Sequence, residues 1–141
     1  MARKDEQPIC NVLNKILNTK FELVEDEFSR FDAEDENYLL EIKVRHKDYG
    51  DMVMDLEKCT AIKRAAAAKG KIPLFCITTP TGWKVIDLRE KYRVIQRMSP
   101  KTTDFKNKEK VLKKFANWKR GWMDISLNKV ESVRDSLRYE Q

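Results

Sequence analysis

The apolar residues fall into short runs whose period changes along the chain. Ile9, Val12, Leu13, Ile16 and Leu17 recur at helical spacing, which predicts an amphipathic helix over residues 8–18 with Pro8 in its first turn. Residues 21–31 alternate loosely between apolar and charged and read as a strand. Residues 32–37 form a polar turn, and Tyr38–Val44 (YLLEIKV) is an apolar strand, so together they predict a β-hairpin. A loop over residues 47–50 leads into a predicted helix over 51–69. Met54, Ile62 and Ala65 mark its inner face, Leu56 and Cys59 lie beside them, and Gly70 serves as C-cap. Residues 72–78 (IPLFCIT) read as a buried strand. Pro80-Thr81-Gly82 turns the chain, and residues 83–88 (WKVIDL) return as a second hairpin strand.

The pattern weakens after Leu88. Val111, Phe115, Trp118 and Trp122 lie at helical intervals and predict a helix over residues 106–122. Val130, Val133 and Leu137 predict another over 126–139, capped by Asp124 or Ser126. The order of elements predicts one α/β domain, a mixed central β-sheet flanked by helices, with further helices at the C-terminal end.

Composition narrows the class. The chain has 141 residues, 41% hydrophobic and 37% charged, which suits one domain with its own core. No apolar run approaches the ~20 residues of a membrane helix, and the N-terminal MARKDEQP carries no apolar stretch that would serve as a secretory signal. The cysteines Cys10, Cys59 and Cys76 are scattered, and His46 is the sole histidine. A disulfide framework and a structural zinc site are therefore not expected, and a cytoplasmic location is. None of the four glycines forms a G-x-G, which argues against a phosphate loop, and nothing near His46 resembles a nucleophile elbow.

Charge is unevenly distributed. Residues 1–88 hold 14 Lys/Arg against 16 Asp/Glu, and residues 89–141 hold 15 against 7. The excess gathers at Lys106, Lys108, Lys110, Lys113, Lys114, Lys119 and Arg120. Such a basic half fits a solvated face or a polyanion partner, because lysines and arginines on phosphates release counterions.

The chemistry concentrates between Asp32 and Lys43. Strand side chains alternate faces, so Glu41 and Lys43 share one face of YLLEIKV and Leu40, Ile42 and Val44 share the other. Asp32 precedes the turn and can come back alongside them. A surface Glu-x-Lys pair is common, but this one sits in a strand of buried character, where charge is costly and often functional. Two carboxylates beside a lysine suit Mg²⁺ and phosphodiester chemistry.

Asp32, a short turn, then Y-L-L-Glu41-I-Lys43 resembles the signature of the PD-(D/E)XK nuclease superfamily, over roughly residues 5–88. The resemblance implies a restriction-endonuclease-like core and hydrolysis of DNA. It implies Mg²⁺ (or Mn²⁺) on Asp32 and Glu41, with Lys43 assisting the attacking water. Glu6, before the first helix, matches an acid that the family often carries and is a further candidate metal ligand. Phe31 stands where the signature has proline, and Asp35 in the acid-crowded turn is an alternative to Asp32. Lys58, on the following helix, resembles a basic position of some phage and bacterial members. A phage origin is compatible with the resemblance.

Arg45, His46, Lys47, Lys58, Lys113, Lys114, Lys119 and Arg120 are the candidate nucleic-acid contacts. Tyr49, Trp118 and Trp122 read either as stacking residues or as core. Two strands need two sites, which favours a homodimer, with Trp118 and Trp122 as its candidate interface. The alternatives are a binding module of the same fold without catalysis, and a regulatory protein docking an acidic partner.

Overall fold

The helical stripe at the N-terminus does what its spacing predicts. A 3-10 turn, Arg3–Glu6, leads into α1 (Gln7–Leu17), which buries Ile9, Cys10, Val12 and Leu13. Asn18 ends the helix in the left-handed conformation, at φ 55°. The computed structural model describes residues 3–26, 28–100 and 110–139.

Two short strands follow, β1 (Glu22–Leu23) and β2 (Ala33–Glu34), and then β3 (Tyr38–Val44). The strand predicted over 21–31 is thus reduced to two residues. The partner of β3 in the hairpin is Ala33–Glu34, inside the stretch read as turn. After a loop come β4 (Met52–Asp55), α2 (Leu56–Lys69), β5 (Ile72–Thr79) and β6 (Gly82–Asp87). The helix predicted over 51–69 therefore begins at Leu56. Asp55 is its N-cap, accepting from the Glu57 amide at 2.9 Å. Gly70 closes it at φ 65°. Cys59, Ile62 and Ala66 are its buried positions, and Ala65 is only half-buried.

The C-terminal part departs furthest from expectation. Residues in the stretch of weakened pattern form β7 (Arg93–Pro100), and the predicted helix over 106–122 is instead β8 (Lys110–Trp118). Lys106, Lys108 and the start of that prediction lie outside the described residues. A last strand, β9 (Met123–Ser126), runs into α3 (Leu127–Tyr139), the single C-terminal helix among the described residues. Of the two expected caps Ser126 is the one used, its Oγ accepting from the Lys129 amide at 3.1 Å.

The strands form two sheets. The larger has the order β1-β2-β3-β5-β6-β9 and is mixed, β3 and β5 being parallel and its other pairs antiparallel. The smaller is antiparallel, in the order β4-β8-β7. Helix α2 forms the crossover between the parallel strands β3 and β5. Leu40, Ile42 and Cys76 point to one face of the large sheet and join the core beneath α1 and α3. Phe75, Ile77 and Ile86 point to the other and pack with Met52, Met54, Ala116 and Trp118 of the small sheet and with Cys59 and Ile62 of α2. Glu41 is in register with Phe75, and Lys43 with Ile77. Both therefore face the space between the two sheets. No helix among the described residues is long and apolar enough to cross a membrane.

Candidate active site

Asp32 is fixed by the edge of β3. Its backbone amide donates to the Leu40 carbonyl at 2.9 Å, and its Oδ2 accepts from the Ile42 amide at 2.7 Å. Strand β2 begins only at Ala33, so this carboxylate takes the place of the next ladder acceptor. That bond anchors Asp32 beside Glu41. The two carboxyl groups meet and share a hydrogen bond. Nine residues apart in sequence, they converge as the hairpin requires.

Glu41 is 5% exposed and lies next to Phe75. Burial, and then Asp32, push its carboxyl up to about 8; the Lys58 ammonium pulls the other way. The Glu41–Lys58 ion pair is in place, with Lys58 reaching over from α2. Loss of hydration and a like charge therefore outweigh one half-exposed ammonium. Two acids in contact do not both ionise at low cost, which is why Asp32 adds to the upward push on Glu41.

These carboxylates are the donor set a divalent cation would use. Mg²⁺ commonly takes one or two protein carboxylates and fills the rest of its octahedron with water and substrate phosphate. Among the described residues no group of three His, Cys, Asp or Glu side chains gathers closely enough to hold a metal. Glu6 and Asp32 both lie near Cys10. Both raise the Cys10 thiol, which burial above all pushes up to about 12. Asp35 is occupied in its turn. Its Oδ1 accepts from the Asn37 and Tyr38 amides at 2.9 and 2.8 Å, and its Oδ2 from the Lys20 amide at 3.1 Å. Asp32, not Asp35, is the acid that reaches Glu41.

Lys43 lines the same cleft as Glu41 and Lys58, a space of about 350 Å³ that also touches Arg45, Asp55, Phe75, Arg97 and Phe115. The other predicted basic contacts divide. Arg45 is on the cleft, and His46 and Lys47 sit in the exposed loop after β3. Lys113 points toward Asp55 at 3.7 Å and Lys119 toward Asp51 at 3.4 Å. Lys114 projects from the opposite face of β8 to Lys113, since neighbours on a strand alternate. Arg120 is exposed in the turn before β9.

Trp118 is fully buried, packed at a tilt against Phe75 and Tyr92, with its indole N–H donating to the Glu90 carbonyl at 3.0 Å. It is core and is not free to form the expected dimer interface. Trp122 is half-buried with the Lys84 ammonium 4.8 Å from its ring centre, and Trp83 is core. Arg97 is the cleft residue that sequence reasoning missed. The alternation Arg93, Ile95, Arg97 against Val94, Gln96, Met98 was the available signal of the strand that carries it.

No protein-family model matches the chain, and no curated protein sequence does. Among solved structures it is similar to that of Archaeoglobus fulgidus Hjc, a Holliday junction resolvase from an archaeal hyperthermophile. The identity is 12%, the match covers 92% of this chain and 88% of that one, and the TM-score is 0.47.

Proposed function

We propose that this chain is a metal-dependent nuclease of the PD-(D/E)XK type that hydrolyses DNA phosphodiester bonds. The observation that supports this best is the meeting of the Asp32 and Glu41 carboxyl groups in a cleft that Lys43 also lines. Asp32 and Glu41 would hold Mg²⁺ or Mn²⁺, which would polarise the phosphodiester and lower the pKa of the attacking water. Glu6, whose charge acts on Cys10 together with that of Asp32, is a further candidate ligand.

The chain's own residues have distinct tasks. Asp32 is pre-oriented by the Ile42 amide, so little reorganisation is needed when it binds. Glu41 must give up its shared proton first, which ties binding to pH. Lys43 is exposed at the cleft, where its ammonium can orient the water and offset charge gathering on the phosphate oxygens. With a cation held on Glu41, the Lys58 ammonium would be available to a substrate phosphate. Supercoiled plasmid incubated with Mg²⁺ tests the reading. Nicking by the wild type, and its loss in folded Lys43→Ala and Glu41→Gln, is expected; equal cleavage by all three refutes it.

One observation favours a second reading, a binding module without catalysis. The Lys58 ammonium already occupies the Glu41 carboxyl, where a metal would sit. That reading predicts salt-sensitive DNA binding and no product with any divalent metal.

A further inference from the structure

The cleft at Glu41 does not end there. A second hollow of about 440 Å³, lined by Arg45, Tyr49, Asp51, Val53 and Arg97, adjoins it. Arg45, Val53 and Arg97 line both, so the two form one groove that passes from the large sheet onto the small one.

The charges along this groove are not balanced. The acids are answered. Asp51 accepts from the Asn117 amide group at 2.9 Å and faces Lys119 at 3.4 Å, and Asp55 caps α2 with Lys113 3.7 Å away. The arginines are not answered. Among the described residues neither Arg45 nor Arg97 makes an ion pair. Each guanidinium instead rests over a ring, Arg45 at 5.9 Å from Tyr49 and Arg97 at 6.0 Å from Phe115. Stacking of this kind holds the plane in position and leaves the N–H donors for an anion.

Tyr49 is presented rather than packed. It is 63% exposed, yet its loop is fixed on both sides. Asp48 Oδ1 accepts from the Gly50 amide and from the buried Lys84 ammonium, both at 2.8 Å, and Gly50 turns the chain at φ 75°. The exposed Tyr49 ring thus stands between two cations, Arg45 and Lys47, with its face accessible to a ligand.

We propose that this groove holds a single nucleic-acid strand, with Arg45 and Arg97 on its phosphates and Tyr49 stacked on an unpaired base next to the scissile bond. The proposal rests on the phosphodiesterase reading above and adds the form of the substrate. Stacking on an aromatic side chain requires a base whose face is open. Duplex bases cover one another, so an intact helix would reach the arginines and leave Tyr49 unused. Single strands, frayed ends and unpaired segments would engage all three.

Binding without turnover separates these cases. Fluorescence anisotropy in EDTA, with a short fluorescein-labelled oligonucleotide and its duplex, compares the wild type with Tyr49→Ala, Tyr49→Phe, Arg97→Ala and Lys129→Ala, the last lying on α3 away from the groove. The single strand is expected to bind more tightly than the duplex. Tyr49→Ala should weaken single-strand binding by about tenfold and leave the duplex unchanged, and Tyr49→Phe should retain it. Arg97→Ala should lower the salt slope by about one. Lys129→Ala should match the wild type. Equal affinity for both forms, or wild-type binding by both Tyr49→Ala and Arg97→Ala, overturns this inference; if the plasmid is still nicked, the nuclease reading survives. Failure of the wild type to bind any nucleic acid, or tighter binding to polyglutamate, overturns both.

Discussion

The Lys58 ammonium of α2 sits in an ion pair on the buried Glu41 carboxyl of β3, in the cleft that Lys43 also lines. A cation thus already stands where the two acids meet. Its reach is not enough to keep Glu41 ionised, because burial and the neighbouring Asp32 act more strongly in the opposite direction.

The stability of the protein in EDTA should therefore fall as pH rises. Glu41 goes from an ordinary value of 4.5 to about 8 on folding. Between those values the folded state holds a proton that the unfolded state has lost, so stability is full below the lower value and drains away up to the higher one. Thermal melts in EDTA should show Tm declining across this window. Glu41→Gln should flatten the decline, and Mg²⁺ should restore Tm at the alkaline end in the wild type alone.

Lys58→Met removes the one influence that lowers Glu41 and should push its carboxyl higher still. Metal binding needs the ionised form, so the pH midpoint for Mg²⁺ binding, followed by calorimetry, is expected to move upward. An unmoved midpoint would mean that Lys58 is not coupled to the acid.

Asp32 has a structural and a chemical task, and two substitutions separate them. Asp32→Ala leaves the Ile42 amide without its acceptor and should cost about 1–3 kcal/mol in urea denaturation. Asp32→Asn keeps an acceptor oxygen and should stay close to wild-type stability. Both should abolish metal-dependent nicking, since neither offers a carboxylate.

The small sheet should unfold with the large one. Trp118 is fully buried between Phe75 of one and Tyr92 beside the other. Trp118→Ala is expected to lose about 3–5 kcal/mol in a single cooperative transition. A separate early transition would show the sheets to be independent.

The nearness of Asp32, Glu41 and Lys43 was legible in the sequence, and the small sheet was not. Glu41 and Lys43 lie in an uninterrupted apolar run whose face alternation is a local property, so their shared side could be read directly. Asp32 was reached by chain reversal, although the strand facing β3 is Ala33–Glu34 and not the longer stretch before it. What failed was non-local. Met52–Asp55 continues the helical pattern of α2 and becomes a strand only by pairing with residues 115–118. Val111, Phe115 and Trp118 fit a helix by their spacing, but the pairing of β8 with both β4 and β7 supplies backbone partners that favour the extended form. That switch moved Lys113 and Lys114 to opposite faces, took Trp118 out of the surface and brought Arg97 to the cleft.

Anomalous diffraction from a crystal soaked in Mn²⁺ tests the central claim most directly. The account predicts a peak within about 2.3 Å of carboxylate oxygens of both Asp32 and Glu41, with the Lys58 ammonium moved off Glu41. A cleft without such a peak, Lys58 still resting on Glu41 at saturating Mn²⁺ and alkaline pH, would contradict it.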